Sequence, residues 1–522
     1  MRVILPSEMA SVDRAAIEQE KIPGLDLMER AGEAVARAAR DMLSSTGGHC
    51  VGIICGKGNN GGDGLVAARR LSGAFDAAVY VVGAGTPEEL SPDSRANLDR
   101  LAGTAVEVKW LTSDGDSTVL EREAPTFDLV VDALFGTGFK GSADGLHALA
   151  IEAINDSGRP VLAVDIPSGV SGDTGAVQGP AVVADRTVTF AAPKVGLVQY
   201  PGAAHVGEME VADIGIPEAL IETIPTSRIY VTTEEEAEAL LPSRAPDAYK
   251  TGCGKVLAIG GSPGMTGAPA MCAQAALRMG AGMVTLAVPE GLNDIFEVKL
   301  TEVMTIGMPQ TESRTFAAEA ADELLSRARS FDAVALGPGM STDPETLELI
   351  RRLVAGIDTP LVLDADGLNA MAGSTGMLRE REGPLVMTPH PGEMARLLDT
   401  GIGPVQADRL GAARRAAAEW GAVVVLKGAG TVVAEPGGDT FINQTGNPGM
   451  ATAGMGDVLT GCVAALLAQG LGPFGAAVAA VYYHGHAGDL AAQMGGMVGM
   501  IARDVIRHLP LALHKLSEER WF

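Results

Sequence analysis

Aromatic residues are scarce in this sequence, 4% against 47% hydrophobic residues in all. A core of that size must be built from Ala, Val, Leu, Ile and Met, which suits parallel sheets buried on both faces. Cysteine is nearly as rare. Cys50, Cys55, Cys253, Cys272 and Cys462 are scattered, odd in number and form no CxxC pair. A disulfide framework is excluded, and the thiols read as reduced core residues of a cytoplasmic protein. Positive charge is also short: 39 Lys and Arg face 65 Asp and Glu, a net charge of −26. Such a surface repels nucleic acid and anionic membranes. A phosphate-bearing ligand would have to be met by local backbone N–H groups or by individual lysines. Long apolar runs are missing too. Val458–Gly470 is too short to span a bilayer, and Gly472-Pro473 breaks it from the next run. The start, Met1-Arg-Val-Ile-Leu-Pro-Ser-Glu8, has neither the apolar core nor the cleavage site of a signal peptide. The expectation is a soluble protein whose 522 residues make two to four domains.

Glycine is plentiful, at 67 residues, and much of it follows short apolar runs. The apolar spacing predicts helix over Ser7–Met42, broken at Pro23-Gly24. Val51–Cys55 reads as a buried strand, Gly56-Lys-Gly-Asn-Asn-Gly-Gly-Asp-Gly64 as a glycine loop and Leu65–Leu71 as a helix. Strand, glycine loop and helix make the phosphate-binding unit of doubly wound folds. Gly56, Gly58 and Gly61 match G-x-G-x-x-G, but the next strand, Ala78–Val82, ends in Gly83-Ala84-Gly85 rather than in an acidic residue. An ordinary dinucleotide dehydrogenase is therefore disfavoured. Further strands, Phe127–Leu134 and Pro160–Ile166, carry Asp132 and Asp165 at or near their ends. A carboxylate there lines the ligand crevice of an open α/β sheet, and it is costly unless paired, metal-bound or chemically used. The bland alternative is an Asp bonded to neighbouring loop amides.

Asn59-Asn-Gly-Gly-Asp63, Asp132 with Gly136-Thr-Gly-Phe-Lys-Gly141, and Asp165-Ile-Pro-Ser-Gly169 occur in this order. Together they resemble the YjeF N-terminal family of NAD(P)HX epimerases over about the first 220 residues. The resemblance implies a Rossmann-like domain whose loops hold the hydrated nicotinamide dinucleotide and a potassium ion (K+). Carried over, Asn59, Asn60, Gly61, Gly62 and Asp63, then Gly136, Thr137, Gly138, Phe139, Lys140, Gly141 and Ser142, with Asp165, would bind substrate. Asn60, Asp132 and Ser168 would bind potassium, and an amide oxygen, a carboxylate and a hydroxyl are the hard donors such a cation prefers. Asp165 would be the acid/base of epimerisation.

The pattern fades after Met209–Pro217. Thr232-Thr-Glu-Glu-Glu236 and Leu241-Pro-Ser-Arg-Ala-Pro246 read as a polar connection, which places domains at 1–224 and 228–520. The second half restarts with the strand Val256–Gly260, the loop Gly261–Gly267 and the helix Ala268–Met279. Met283–Val288, Ala333–Leu336, Leu361–Leu363, Leu385–Met387 and Val423–Leu426 are further strands, and most lead into loops rich in Gly, Pro, Asp or His. The chain is organised around Asn447-Pro-Gly-Met-Ala-Thr-Ala-Gly-Met-Gly-Asp457, where a glycine loop enters an apolar helix. Free N–H groups and the helix dipole suit a phosphate there. Asp457 is badly placed to bind phosphate and well placed to take a proton from a hydroxyl about to receive one. As a lone residue it could equally cap the helix. His484 and His486 could pair on a metal or serve helix packing.

Asp364-Ala-Asp-Gly-Leu-Asn369, Thr388-Pro-His-Pro-Gly-Glu393, Lys427-Gly-Ala-Gly-Thr431 and the Asn447–Asp457 stretch resemble the YjeF C-terminal, carbohydrate-kinase-like family of ribokinase folds. These are the nucleotide-dependent NAD(P)HX dehydratases. With both halves in this order, the chain resembles the fused bacterial and archaeal NAD(P)H-hydrate repair enzymes. The expected fold class is α/β, Rossmann-like and then ribokinase-like. The resemblance puts Lys427, Gly428, Ala429, Gly430, Thr431 and Gly456 on the nucleotide. It puts Ala268, Gly339, His390 and Asp457 on the hydrate. ADP (or ATP) is the implied phosphoryl donor, Mg2+ is expected with it, and NADHX and NADPHX are the ligands; neither nucleic acid nor membrane is a partner, and a homo-oligomer is expected. The rival readings are a vitamin-precursor kinase of the same fold and a non-catalytic Rossmann-like module in the first half.

Overall fold

Short, β-branched and fully apolar runs become strands buried on both faces, and the alanine-rich segments between them become the helices that cover them. A computed structural model describes residues 1–514. The chain forms two compact units, Arg2–Ile229 and Tyr230 onward.

The first unit is built on seven strands: β1 (Cys50–Cys55), β2 (Asp76–Val82), β3 (Glu107–Leu111), β4 (Leu129–Ala133), β5 (Val161–Val164), β6 (Arg186–Phe190) and β7 (Glu208–Ala212). They run in the order β3-β2-β1-β4-β5-β6-β7, all parallel. The order reverses between β1 and β4, which opens a crevice at their carboxyl ends. Asp132 stands there, in register with Ile54 of β1 and Ala163 of β5. Helices Pro6–Glu18 and Gly24–Thr46 reproduce the expected break at Pro23-Gly24.

One expectation fails in detail. The glycine loop is short, because the helix after β1 already begins at Asn59 and runs to Leu71, with Gly58 as its cap. Gly61, Gly62 and Gly64 are helical. Their use is close packing: a Cβ on Gly61 would run into the Gly56 carbonyl, and one on Gly64 would meet Ala133 and Cys55. Close helix–strand packing, not loop flexibility, explains the glycine count here.

The second unit is built on β8 (Lys255–Ile259), β9 (Met283–Pro289), β10 (Met304–Met308), β11 (Ala333–Leu336), β12 (Leu361–Leu363), β13 (Leu385–Met387), β14 (Val423–Leu426), β15 (Thr431–Ala434) and β16 (Thr440–Asn443). Their order is β10-β9-β8-β11-β12-β13-β14-β15-β16, parallel through β14 and antiparallel for the last two pairs. The parallel strands send their following loops to one edge. Helices Met455–Ala468 and Pro473–Gly495 are largely apolar and lie in one core cluster with Ala273 and Ala276. Thr232–Glu236 is not a linker. Thr233 and Glu236 form a reciprocal capping box on the helix Glu234–Leu240, with Thr233 N–H donating to Glu236 at 2.9 Å. The T-x-x-E spacing is that motif, and it outweighs the polarity. Among the described residues, no helix is long and apolar enough to cross a membrane.

Candidate functional sites

In the first unit, the missing Cβ atoms of Gly56 and Gly61 let the β1 turn settle on the end of β4. Asn60 then donates its Nδ2 to the Phe135 carbonyl at 2.9 Å. Asp132 is wholly buried. Its Oδ1 accepts from the Ser168 hydroxyl (2.6 Å) and the Leu134 N–H (3.2 Å), and its Oδ2 from the Ser168 N–H (2.8 Å). Burial pushes the carboxyl up to about 6, with the Ser168 bonds opposing. Asn60, Asp132 and Ser168 thus gather around the Phe135 carbonyl, and no cationic side chain pairs with Asp132 among the described residues. The loop-amide reading of Asp132 is partly right, since two of its bonds are to backbone N–H groups.

Asp165 follows β5 with φ at 64°, left-handed and sparsely populated for a residue with a Cβ. Its Oδ1 accepts from Lys194 Nζ at 2.7 Å and Thr189 Oγ1 at 3.1 Å. Lys194 also donates to Thr189 Oγ1 and to the Phe190 carbonyl, both at 2.9 Å. A cavity of about 690 Å³ opens above them. Asp13, Asp63, Asp165 and Lys194 line one part of it; Lys57, Phe139 and Lys140 line another. Burial drives Asp63 well above the carboxylate range, with Asp165 and Asp13 adding to it. Burial likewise raises Asp13 to about 6, against the pull of Lys194. Among the described residues, Asp13 and Asp63 have no lysine bonded to them, so burial and the neighbouring carboxylates favour their protonated forms. Phe135 stacks on Phe139 (4.8 Å) and tilts against His147 (5.1 Å).

Of the expected substrate residues, Asn59, Asn60, Asp63, Gly136, Thr137, Gly138, Phe139, Lys140 and Asp165 line this cavity. Gly61 and Gly62 are buried behind the wall, Gly62 against Met28 and Ser94. Gly141 and Ser142 lie off it, and the Ser142 hydroxyl donates to the Ala143 carbonyl at 3.1 Å. Sequence reasoning missed Asp13 and Lys194. Asp13 lies in the helix expected over Ser7–Met42 and belongs to none of the motifs singled out. The available signal for Lys194 was a lone lysine inside the apolar stretch Phe190-Ala-Ala-Pro-Lys-Val-Gly-Leu197.

In the second unit, Gly454 caps the helix Met455–Ala468 with φ at 94°, where a Cβ would press on Met271. Asp457 is the third helical residue and makes no capping bond, which removes the cap reading. Burial, then Asp364, pushes its carboxyl up to about 7, with Lys427 opposing. Asp364 follows β12; its Oδ1 accepts from Lys427 Nζ and its Oδ2 from Thr460 Oγ1, each at 2.7 Å. Lys427 follows β14, and its Nζ lies 3.8 Å from Glu393 Oε2. Burial raises Glu393 to about 7. A Cβ on Gly456 would stand 3.1 Å from Lys427 Nζ, so the helix start and the lysine are neighbours.

His390 caps the helix Pro391–Leu397: Nδ1 accepts from the Gly392 and Glu393 N–H groups at 3.0 and 3.3 Å. The imidazole is held neutral by burial and by Lys427, which leaves Nε2 to carry the proton. Ala268 is the second residue of the helix Gly267–Arg278 after β8, and Gly339, with φ at 62°, packs on Ala268 and Met265. Thr431 Oγ1 donates to the Gly428 carbonyl at 2.7 Å and tightens the loop after β14. His484 is buried and bonded to the Met455 backbone, while the His486 ring stacks on Tyr482, so the two serve the helix Pro473–Gly495 and its neighbour.

The NAD(P)H-hydrate dehydratase family matches residues 256–511, and the family described as YjeF-related protein N-terminus matches residues 24–196. A bifunctional NAD(P)H-hydrate repair enzyme Nnr of Moorella thermoacetica is 47% identical over 525 residues, 99% of this chain and 98% of that one. The chain belongs to the bifunctional NAD(P)H-hydrate repair enzyme family. The Thermofilum pendens relative of the same name is 43% identical over 522 residues, covering 99% and 97%. Among solved structures, an ADP/ATP-dependent NAD(P)H-hydrate dehydratase from Bacillus subtilis, co-crystallised with ATP and Mg2+, is 30% identical. It matches with a TM-score of 0.47 over 54% of this chain and 97% of that one. The two α/β units described above follow one another in the order of the two matched families.

Proposed function

We propose that this chain repairs hydrated NADH and NADPH in two steps, with epimerisation of the R and S hydrates in residues 1–224 and nucleotide-dependent dehydration of the S form from residue 228 onward. The observation that supports the reading is that each unit presents one carboxylate to its candidate site: Asp165, held by Lys194 at the cavity wall, and Asp457, in the first turn of a glycine-capped helix. The kinase alternative leaves the Asp165–Lys194 pair without a purpose and is not favoured.

The hydrate carries a hydroxyl on a saturated carbon beside the ring nitrogen. Hydroxide is a poor leaving group. Asp457 takes the hydroxyl proton as the oxygen accepts the β-phosphoryl group of ADP, leaving AMP. The nitrogen lone pair then expels phosphate, and loss of a proton from the adjacent carbon restores the ring double bond. Phosphoryl transfer rests on positioning and on donors aimed at developing charge. Lys427 and the N–H groups at Gly454–Gly456 supply them, with Gly428, Ala429, Gly430 and Thr431 around the nucleotide and Ala268, Gly339 and His390 around the hydrate. Mg2+ accompanies the nucleotide and shields its charge. ADP is the preferred donor in this reading.

Epimerisation inverts the same carbon and needs an acid/base beside its hydroxyl. Asp165 has that place, Lys194 fixes it, and Asn59–Asp63 and Gly136–Ser142 contribute the surroundings. Asn60, Asp132 and Ser168 fit a potassium ion, because a fully buried carboxylate without a cationic partner is otherwise compensated by hydrogen bonds alone. The ion would neutralise Asp132 and hold the two loops together. The test is a mixture of both hydrate epimers given ADP, ATP or no nucleotide. Epimers should interconvert without nucleotide, and reduced-nicotinamide absorbance should return only with it. A phosphorylated product that persists would make the second unit a kinase.

A further inference from the structure

Arg409 opens the helix Arg409–Trp420 and is only 6% exposed. Its Nη1 donates to Gln406 at 2.8 Å, and its Nη2 to the carbonyls of Leu426 (3.1 Å) and Lys427 (3.2 Å). Its buried Nε has no partner. Among the described residues no carboxylate pairs with it; the adjacent Asp408 is engaged with the Gly411 N–H at 2.8 Å and Arg415 at 3.4 Å. Three things count against a cation in this position. It is desolvated without a counter-charge, one donor is wasted, and it sits at the positive end of a helix dipole. Burial lowers its pKa only to about 10, so it remains charged at neutral pH.

The guanidinium lies directly beneath the loop after β14: a Cβ on Gly428, whose φ is 139°, would stand 3.1 Å from Nη2. In a trans peptide the C=O and N–H point in opposite directions. Drawing the Lys427 carbonyl down onto Nη2 therefore turns the Gly428 N–H outward, and Gly428 and Ala429 are exposed. Lys427 itself is a poor source of net positive potential, since Asp364 holds it at 2.7 Å and Glu393 lies 3.8 Å away. Arg409 is a cation of this loop whose charge is not spent on an acid.

We infer that Arg409 is a positioning residue for the nucleotide: it fixes the Lys427–Gly428 peptide with its N–H facing out and places an uncompensated positive charge behind the loop that attracts the nucleotide's phosphates. This rests on the reading of Lys427–Thr431 as the nucleotide loop. The test uses the full chain and measures ADP binding with Mg2+, by titration calorimetry at several salt concentrations, for wild type, Arg409→Met, Arg409→Lys and Lys427→Ala. Arg409→Met should raise the Kd for ADP about tenfold and flatten its salt dependence, as expected for a lost charge-assisted contact. Arg409→Lys keeps the charge but not the fork. It should raise Kd less and keep the wild-type salt slope. Turnover at saturating ADP and epimerisation should stay within about twofold of wild type in both, since neither variant touches a reacting group. Lower melting with an unchanged Kd and salt slope in either variant would make Arg409 purely structural and overturn the inference. If Arg409→Met does not fold, Arg409→Lys decides alone, with unchanged Kd as the overturning result. If Lys427→Ala also binds ADP normally, the loop is not the nucleotide site, and the functional reading fails along with the inference.

Discussion

Each unit holds one buried lysine–aspartate pair at 2.7 Å, and the two pairs are used in opposite senses. In the first, the lysine is the hidden member: Lys194 is 1% exposed and saturated by three acceptors, while Asp165, at 11%, faces the cavity. In the second, the carboxylate is hidden: Asp364 is 2% exposed with both oxygens engaged, while Lys427, at 18%, faces the loops. The same ion pair therefore delivers a carboxylate to one site and an ammonium to the other. In the proposed function the carboxylate serves proton chemistry and the ammonium serves as a hydrogen-bond donor to the nucleotide's phosphates. A buried pair is weak evidence for stability; here its use is to hold one group in place.

The largest effects should come from the carboxylates that face the chemistry. Asp165→Asn should cut epimerisation, and Asp457→Asn should cut dehydration, each by about 10²–10⁴-fold, the range for a lost general acid or base. Each should leave the other activity intact, because the residues lie in different units. Asp457 makes no capping bond, so its variant should melt as wild type does. Loss of both activities in either variant would break the comparison.

Next come the lysines. Lys194→Met strands three acceptors, and removal of one partner from a buried pair costs about 3–5 kcal/mol. Melting of the first unit should fall clearly, and epimerisation with it. Lys427→Met also leaves the buried Asp364 without its cation, so melting of the second unit should fall as well, but its distinguishing effect should be a raised KM for ADP. If both variants behave alike in calorimetry and kinetics, the opposition between the pairs is wrong.

How much of this could be read from the sequence depended on spacing. β11, β12, β13 and β14 were legible to the residue, because fully apolar runs of three or four residues between turn signals have few other uses. The positions of Asp165 after a strand and of Asp457 at a helix start were legible because each sits in a short motif there. Lys194 lies 29 residues from its aspartate, after β6, and the one local mark, a lone lysine in an apolar stretch, does not name its partner. Arg409 belongs to no motif singled out in the sequence, and its burial follows from where its helix packs. Partnership across a sheet is set by strand order, and strand order is not a local property. The helix from Asn59 was misread because glycine signals both loops and close packing.

A pH profile sharpens the second site. Asp457 must be ionised to act as a base, and its pKa is raised to about 7 by burial and by Asp364. Dehydration should therefore rise with pH and level off above that value, by about tenfold between pH 6 and 8 for a single group. A rate that is flat over this range would mean that Asp457 is not the base.

Potassium sharpens the first site. Replacing it with a bulky organic cation should slow epimerisation several-fold and lower melting by an amount set by ligand linkage. Asp132→Asn should abolish that difference in melting. An equal response of wild type and variant would leave Asp132 as a carboxylate bonded to loop amides.

The smallest effect expected is that of Gly456→Ala, and it separates packing from nucleotide binding. Gly456 is the second residue of the helix Met455–Ala468. Ala is favoured over Gly in a helix by up to about 1 kcal/mol, less in the first turn. The fold should therefore tolerate the change or gain slightly. The new Cβ, however, would stand 3.1 Å from Lys427 Nζ and 3.8 Å from Asp364 Oδ2. The ammonium ends a flexible chain and can give by a few tenths of an ångström, so the cost should appear in the lysine's position rather than in the backbone. The KM for ADP should rise about threefold, well under 1 kcal/mol, with turnover little changed because Asp457 is not displaced. Melting temperature and ADP-dependent kinetics, measured on one preparation, decide it. A raised melting temperature with an unchanged KM would mean that the Lys427 ammonium does not touch the nucleotide, and the second pair would then be structural in both of its members.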